Sequence, residues 1–534
     1  MTNSIAEMEG ADCIFVIGSN TTEAHPLIGT RILRAKAKGA RLVVADPRRI
    51  HLTKYADVYV RQNLGTDVAL INGIMNVILK EGWHNRKFIE ERTEGLEHLQ
   101  KVVEKYKPEK VEEITGVKAE DIRRIAELYA RSEKSSIVYA MGITQHITGV
   151  DNVKSLANLA MLCGQIGRES TGVNPLRGQN NVQGACDVGG LPNVYPGYQA
   201  VTDAQNAEKF GKEWNVNVST KVGLTLTDMM KAALAGEIKA MFILGENPMV
   251  SDADIHHVEK ALKALDFLVV QDIFMSETAR LADVVLPGVS FAEKDGTFTN
   301  TERKVKRVRR AIEPIGESRD DWKVICEISS RMGYEMSYKD PSQILEEIAR
   351  VTPSYAGISY ERIEKEGLHW PCLNKAHPGT PYLHKDRFTR GRGLFHAIEY
   401  LPPNELPDKE FPYLLTTGRI YVHYHTGTMT RRSPSLNKEV EEGFVEINPR
   451  EAKELGIRQG EKIKILSRRG AIEIKADLSE RMERNTIFIP FHFSESAANV
   501  LTNPAFDPIA KIPEFKVCAV RIEKLSEEPV ARLV

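Results

Sequence analysis

Two distant stretches of the chain carry the same chemistry-bearing residues at matched spacing. The first runs Gly18-Ser19-Asn20, then Asp46, then Ala56-Asp57-Val58. The second runs Gly245-Glu246-Asn247-Pro248, then Asp272, then Ala282-Asp283-Val284. The loop glycine precedes the aspartate by 28 residues in one copy (18 to 46) and 27 in the other (245 to 272), and the aspartate precedes the Ala-Asp-Val by 10 in both (46 to 56, 272 to 282). A glycine just after a strand permits a tight turn and a close approach of backbone to phosphate. The helix that follows offers free N–H groups and the positive end of its dipole. A carboxylate closing the next strand is placed to accept hydrogen bonds from a ribose or a base. The pattern predicts two bound nucleotides, or one cofactor with two nucleotide halves. Neither copy is the GxGxxG of a dinucleotide dehydrogenase, which argues against a simple NAD enzyme.

The elements that must position these residues follow from the periodicity. CIFVIG (13–18) and RLVVADP (41–47) read as buried strands, and Pro26 opens an amphipathic helix that Gly39 ends. Thr66 is placed to cap the helix DVALINGIMNVILKEG, a charged helical stretch spans about 85–131, SSIVYAMG (135–142) is a strand, and 150–167 is a helix. Strands alternating with helices predict a parallel sheet covered on both faces. Residues 169–199, dense in Gly, Asn and Pro, form an ordered functional loop in this reading. The alternation resumes from about Thr225, residues 399–412 are a Pro-rich linker, and the short alternating runs beyond it predict a β-rich, barrel-like domain. The fold class is therefore α/β: two related dinucleotide-binding-like α/β domains (1–179 and 180–398) with parallel sheets, and a C-terminal β-barrel-like domain (413–534).

Composition narrows the function classes. Across 534 residues, 72 basic side chains balance 73 acidic ones, so no net field draws the chain to nucleic acid or an anionic membrane. No apolar run approaches the roughly 20 residues of a membrane span, and MTNSIAEMEGAD lacks the features of a signal peptide. A cytoplasmic protein is expected. The six cysteines are scattered without a CxxC pair, which rules out a local zinc or iron–sulfur run and predicts no metal ligand within this chain. Cys186, like the other cysteines, reads as a small buried apolar residue rather than a thiolate ligand.

The chain resembles the catalytic (alpha) subunits of molybdopterin-dependent formate dehydrogenases. The resemblance is carried most specifically by Gly172-Val-Asn-Pro-Leu-Arg-Gly-Gln-Asn-Asn-Val-Gln-Gly-Ala-Cys-Asp187, and further by Val269–Met275, Ala282–Pro287 and Thr416-Thr-Gly-Arg419. It implies two molybdopterin guanine dinucleotides on one molybdenum or tungsten atom, as two matched half-sites would require. Cofactor contacts are implied for Gly18, Asn20, Asp46, Gly65, Asp67, Gly142 and Thr144, for Gly245, Asn247 and Asp272, and for Thr417, Gly418, Arg419, His425, Gly427, Asn499 and Lys516. Arg177 is the implied substrate residue, its rigid guanidinium fork matching a planar carboxylate. Gln179 stands beside it as a supporting donor.

The resemblance also implies parts that this sequence does not contain: a domain holding a [4Fe–4S] cluster on four cysteines, then a cysteine or selenocysteine that ligates the metal, then a histidine. The expectation is an N-terminally truncated chain, a selenocysteine codon having been taken for a stop, and one inactive when expressed alone. The implied reaction is formate to carbon dioxide, with electrons leaving to iron–sulfur, NAD-linked, ferredoxin-linked or hydrogenase subunits. The alternative is a homologue with another substrate, or a non-catalytic scaffold subunit of a complex.

Overall fold

The computed structural model describes residues 1–525, so the tail of the predicted barrel domain (526–534) lies outside the described residues. The chain divides into two compact units. The larger holds Thr2–Leu176, Val250–His256 and the chain from His384 on; the smaller holds Met1, Arg177–Met249 and His257–Leu383.

The larger unit contains a five-stranded parallel sheet of β1 (Cys13–Ile17), β2 (Arg41–Ala45), β3 (Val58–Val60), β4 (Ser135–Tyr139) and β5 (Gly172–Pro175), in the order β3-β2-β1-β4-β5. The first strand is buried along its whole length. Its Cys13, Phe15 and Ile17, with Val43, Ala45, Val58 and Val60, lie in one core with α1 (Asp67–Lys80), α2 (Ala119–Arg131) and α3 (Gly149–Leu162). The strand order reverses between β1 and β4, which makes the crevice there the expected ligand position of such a sheet. Two local expectations change. Thr66 does not cap α1; its hydroxyl donates instead to Asn63 O at 2.7 Å. The loop expected over 169–199 contributes its first residues to the sheet as β5, because Val173 and Asn174 supply the alternating apolar and hydrogen-bonded positions an edge strand needs.

The smaller unit repeats the plan with three parallel strands, β6 (Ala240–Leu244), β7 (Phe267–Asp272) and β8 (Val284–Pro287), in the order β8-β7-β6. The hydrogen bonds recur with the order. Gly18 N donates to Ala45 O at 3.0 Å, and Gly245 N to Gln271 O at 2.9 Å. Leu42 N donates to Asp57 Oδ2, and Leu268 N to Asp283 Oδ2, both at 2.7 Å. The aspartate of each Ala-Asp-Val thus pins the start of the middle strand. The copies differ in cover. Phe15 and Ile17 are fully buried, whereas the corresponding Phe242 and Leu244 are exposed. A three-stranded antiparallel sheet of β9 (Gly296–Thr299), β10 (Lys304–Val308) and β11 (Leu368–His369) completes the smaller unit.

The rest of the larger unit is a closed six-stranded barrel, β12 (Tyr413–Gly418), β13 (Phe444–Ile447), β14 (Lys462–Leu466), β15 (Ala471–Leu478), β16 (Thr486–Pro490) and β17 (Cys518–Lys524), ordered β12-β16-β13-β15-β14-β17. Alternate residues such as Ile463, Ile465, Ile472 and Ile474 fill it. No helix among the described residues is long and apolar enough to cross a membrane.

Candidate functional site

In the larger unit the predicted residues gather at the carboxyl edge of β1, β2 and β4. Gly18 (φ +56°) and Gly142 meet there: Gly142 N donates to Gly18 O at 3.1 Å, and a Cβ on Gly142 would lie 2.5 Å from that oxygen. Only glycine allows this approach, which leaves a cradle of bare backbone at the switch of strand order. Two buried polar atoms there have no protein partner, Asn20 Nδ2 and His146 Nδ1. His146 Nε2 is engaged by Gly142 O at 2.8 Å. Asp46, at the end of β2, is buried and accepts from Arg48 N at 2.9 Å. Burial pushes its carboxyl up to about 6. Asp67, the first residue of α1, is buried, accepts from Gln62 and is likewise raised to about 6 by burial. A Cβ on Gly65 (φ +75°) would lie 2.5 Å from Pro403 Cγ, and the Thr144 hydroxyl lies 3.3 Å from Met141 Sδ.

The barrel contributes cations. Lys516 Nζ donates to Thr417 O at 2.6 Å, and Thr417 Oγ1 donates to Phe515 O at 2.8 Å. Burial, reinforced by the Arg419 charge, pulls the Lys516 ammonium down to about 7; Asp46 only partly opposes this. Burial also lowers Arg419, whose guanidinium lies 5.5 Å from the Phe491 ring centre. His425 (φ +49°) is pushed to about 4 by burial and by Arg419. A Cβ on Gly418 would meet Phe488, and one on Gly427 would meet His492 O. Asn499 is buried, and its amide donates to Val250 O and Ser251 O.

A buried glycine cradle, the orphaned Asn20 Nδ2 donor and cations weakened by burial are what a phosphate-bearing ligand would relieve. The phosphate would accept from the Asn20 amide, and its charge would restore the ammonium. These residues fit a pterin dinucleotide. Three participants were not foreseen. Arg48 makes a two-pronged contact with Glu446 and stacks 3.6 Å from the Phe488 ring centre. His146 and His492 stand behind the two loops, His492 donating to the main chain of His425. For His146, its place just after Met141-Gly-Ile-Thr144 was the available signal.

In the smaller unit Gly245 (φ +64°) turns the chain after β6 and Asp272 ends β7, its carboxylate accepting from Ile273 N at 2.7 Å. Asn247 behaves differently from Asn20. Its Oδ1 accepts from Thr278 N and Oγ1, and its Nδ2 donates to Glu277 at 2.8 Å. Arg177 opens the Gly-rich loop, its N–H held by Thr301 Oγ1 at 3.1 Å, with Gln179 two residues on. All six cysteines are free, and the described residues contain no group of three His, Cys, Asp or Glu side chains able to hold a metal.

Comparison with known proteins relates the chain to a family. Residues 1–331 match the family Molybdopterin oxidoreductase, and residues 413–519 match the molybdopterin dinucleotide binding domain. The chain is 54% identical over 529 residues to the F420-dependent formate dehydrogenase subunit alpha of Methanocaldococcus jannaschii, covering 98% of this chain and 78% of that protein. It is 40% identical to formate dehydrogenase H of Escherichia coli, covering 99% and 75%. Among solved structures it superposes on acetylene hydratase from Pelobacter acetylenicus with a TM-score of 0.77 at 21% identity, over 98% of this chain and 81% of that one.

Proposed function

The chain belongs to the molybdopterin oxidoreductase family, and from that premise we propose that it is a formate dehydrogenase alpha subunit. The reaction is HCOO⁻ to CO2, one proton and two electrons. The observation that carries the reading is the identity of 54% and 40%, over nearly the whole chain, to two proteins named as formate dehydrogenases.

A bis-molybdopterin guanine dinucleotide, with molybdenum or tungsten, supplies the redox chemistry when bound. In the larger unit Gly18, Asn20, Gly142, Thr417, Arg419 and Lys516 would hold phosphate-bearing parts of it, with Asp46 and Asp67 facing its polar groups. In the smaller unit Gly245 and Asp272 take the corresponding roles, with Asn247 shaping the turn. Arg177 binds the carboxylate of formate through its paired N–H groups, and Gln179 supports it. The family resemblance adds a [4Fe–4S] cluster and acceptor subunits, which would receive the electrons. The name of the Methanocaldococcus jannaschii relative supports an F420-linked acceptor. The division at 1–179, 180–398 and 413–534 is kept for this reading.

The test is formate-dependent reduction of a viologen dye by the cofactor-loaded holoenzyme with its partner subunits. Arg177→Lys keeps the charge but loses the fork, and is expected to lower kcat/KM about a hundredfold at unchanged metal content. Metal-loaded wild-type enzyme that ignores formate would overturn the reading. Normal turnover by the variant would remove Arg177 from it.

A further inference from the structure

A short helix, α4 (Val182–Asp187), follows Arg177 in the smaller unit and places Gln183 and Asp187 four residues apart on one face. Both side chains are buried. Asp187 accepts from three side chains: Tyr355 Oη at 2.5 Å, Gln183 Nε2 at 2.8 Å and Tyr198 Oη at 2.9 Å. Tyr355 is anchored in turn by Thr299 Oγ1 at 3.0 Å. The opposite end of the Gln183 amide, Oε1, faces Arg177 Nη2 at 3.5 Å.

An ionised carboxylate only accepts hydrogen bonds, so it selects which end of an amide points at it. Asp187 draws the NH2 of Gln183 towards itself and thereby turns the carbonyl oxygen towards the Arg177 guanidinium. We propose that Asp187 is a positioning residue, acting through Gln183 to hold the Arg177 fork in the orientation that receives a carboxylate substrate. This rests on the formate reading above. Asn at 187 keeps the shape but can itself donate. The Gln183 amide is then free to reverse and present a donor to Arg177.

The experiment compares wild-type holoenzyme with Asp187→Asn and Gln183→Leu. KM for formate is expected to rise about tenfold in each, the size of a lost contact to a charged group, with kcat per metal atom within about twofold. The double variant is expected to be no worse than the poorer single one, because both changes cut one chain of contacts. A purely structural role would lower the metal-loaded fraction and leave KM unchanged, and that result overturns the proposal.

A second readout does not need turnover. Cys186 is part-exposed; burial raises its thiol and the Arg177 charge only partly opposes this, so its slow alkylation by iodoacetamide, followed by mass spectrometry, reports occupancy near Arg177. The formate concentration that half-protects it is expected to rise about tenfold in both variants. Equal protection in wild type and variants overturns the positioning role alone. No protection of the wild type, together with no turnover, overturns the formate reading and this proposal with it.

Discussion

Gly142→Ala tests the cradle directly. Gly142 does not have a left-handed φ, so the expected effect is one of space rather than backbone strain. The added Cβ would fall 2.5 Å from Gly18 O, 2.7 Å from Gly18 Cα and 2.8 Å from Gly18 C. All three are backbone atoms held in register by β1, so no flexible side chain can yield. Overpacking of this kind costs about 1–3 kcal/mol, and contact with backbone puts the expectation at the upper end. At roughly 1–2 °C per kcal/mol for a unit of this size, the melting temperature falls by about 3–6 °C. The same change fills the gap beside Gly18 that a phosphate would approach, so nucleotide released on denaturation should fall with it. Gly39→Ala is the control: its φ is +104° but nothing lies within 4 Å of the new Cβ, and the cost is about 1–2 kcal/mol of backbone strain with nucleotide retained. A Gly142→Ala protein that melts with the wild type and keeps its nucleotide would refute the cradle.

Three further outcomes follow from the same geometry. Folded Lys516 releases its proton near 7, whereas a lysine in the unfolded chain keeps it to about 10.5. The unfolded state therefore binds more protons between those values, and cofactor-free protein gains stability from this group as pH rises from 7 to 10. In thermal unfolding, Lys516→Gln should flatten that slope and abolish stabilisation by inorganic pyrophosphate at pH 7; unchanged slopes would count against the cation cluster. Arg48→Met leaves Glu446, itself 1% exposed, with only a 3.4 Å contact to Arg481, and denaturant unfolding should show a loss of about 3–5 kcal/mol that Arg48→Met/Glu446→Leu largely restores. Asp283→Ala removes the acceptor for Leu268 N and should cost about 1–2 kcal/mol by the same assay. A neutral result there would mean that the recurring Asp does not pin the strand.

The legible part of the fold was what periodicity and punctuation encode. CIFVI and RLVVA could only be buried strands, and Pro26 and Gly39 bracket a helix observed over Pro26–Ala37. What failed was decided by which partner a group finds once the chain is folded. Thr66 looked like a cap, but its hydroxyl found Asn63 O instead. Val173 and Asn174 lie in a Gly-rich, aperiodic stretch, and they become a strand only because the edge of β4 is free to pair. In the candidate site, glycines and carboxylates were legible because few residues can do their work. Arg48 was not, since its role depends on Glu446 almost four hundred residues away. His146 was half-legible: its place just after Met141-Gly-Ile-Thr144 was on view, but an orphaned ring nitrogen is a property of packing that spacing does not announce.

The internal repeat sharpens this point. Matched spacing recorded two kinds of residue without separating them. Gly18 and Gly245 donate the same backbone hydrogen bond, and Asp57 and Asp283 accept the same one. Those positions recur because a strand–turn–helix unit needs them in any setting. Asn20 and Asn247 also recur, yet Asn20 leaves a buried donor without a protein partner whereas both ends of the Asn247 amide are taken up by Glu277 and Thr278. An asparagine whose donors are already engaged shapes a loop, and one with a donor in reserve is built to meet something else. Under the proposed function, the second copy would meet a nucleotide through Asp272 and its backbone rather than through Asn247. Asn20→Ala should accordingly lower nucleotide retention while sparing stability, and Asn247→Ala should loosen the turn, seen as faster amide exchange at Glu277 and Thr278. The reverse assignment of those two phenotypes would break the distinction.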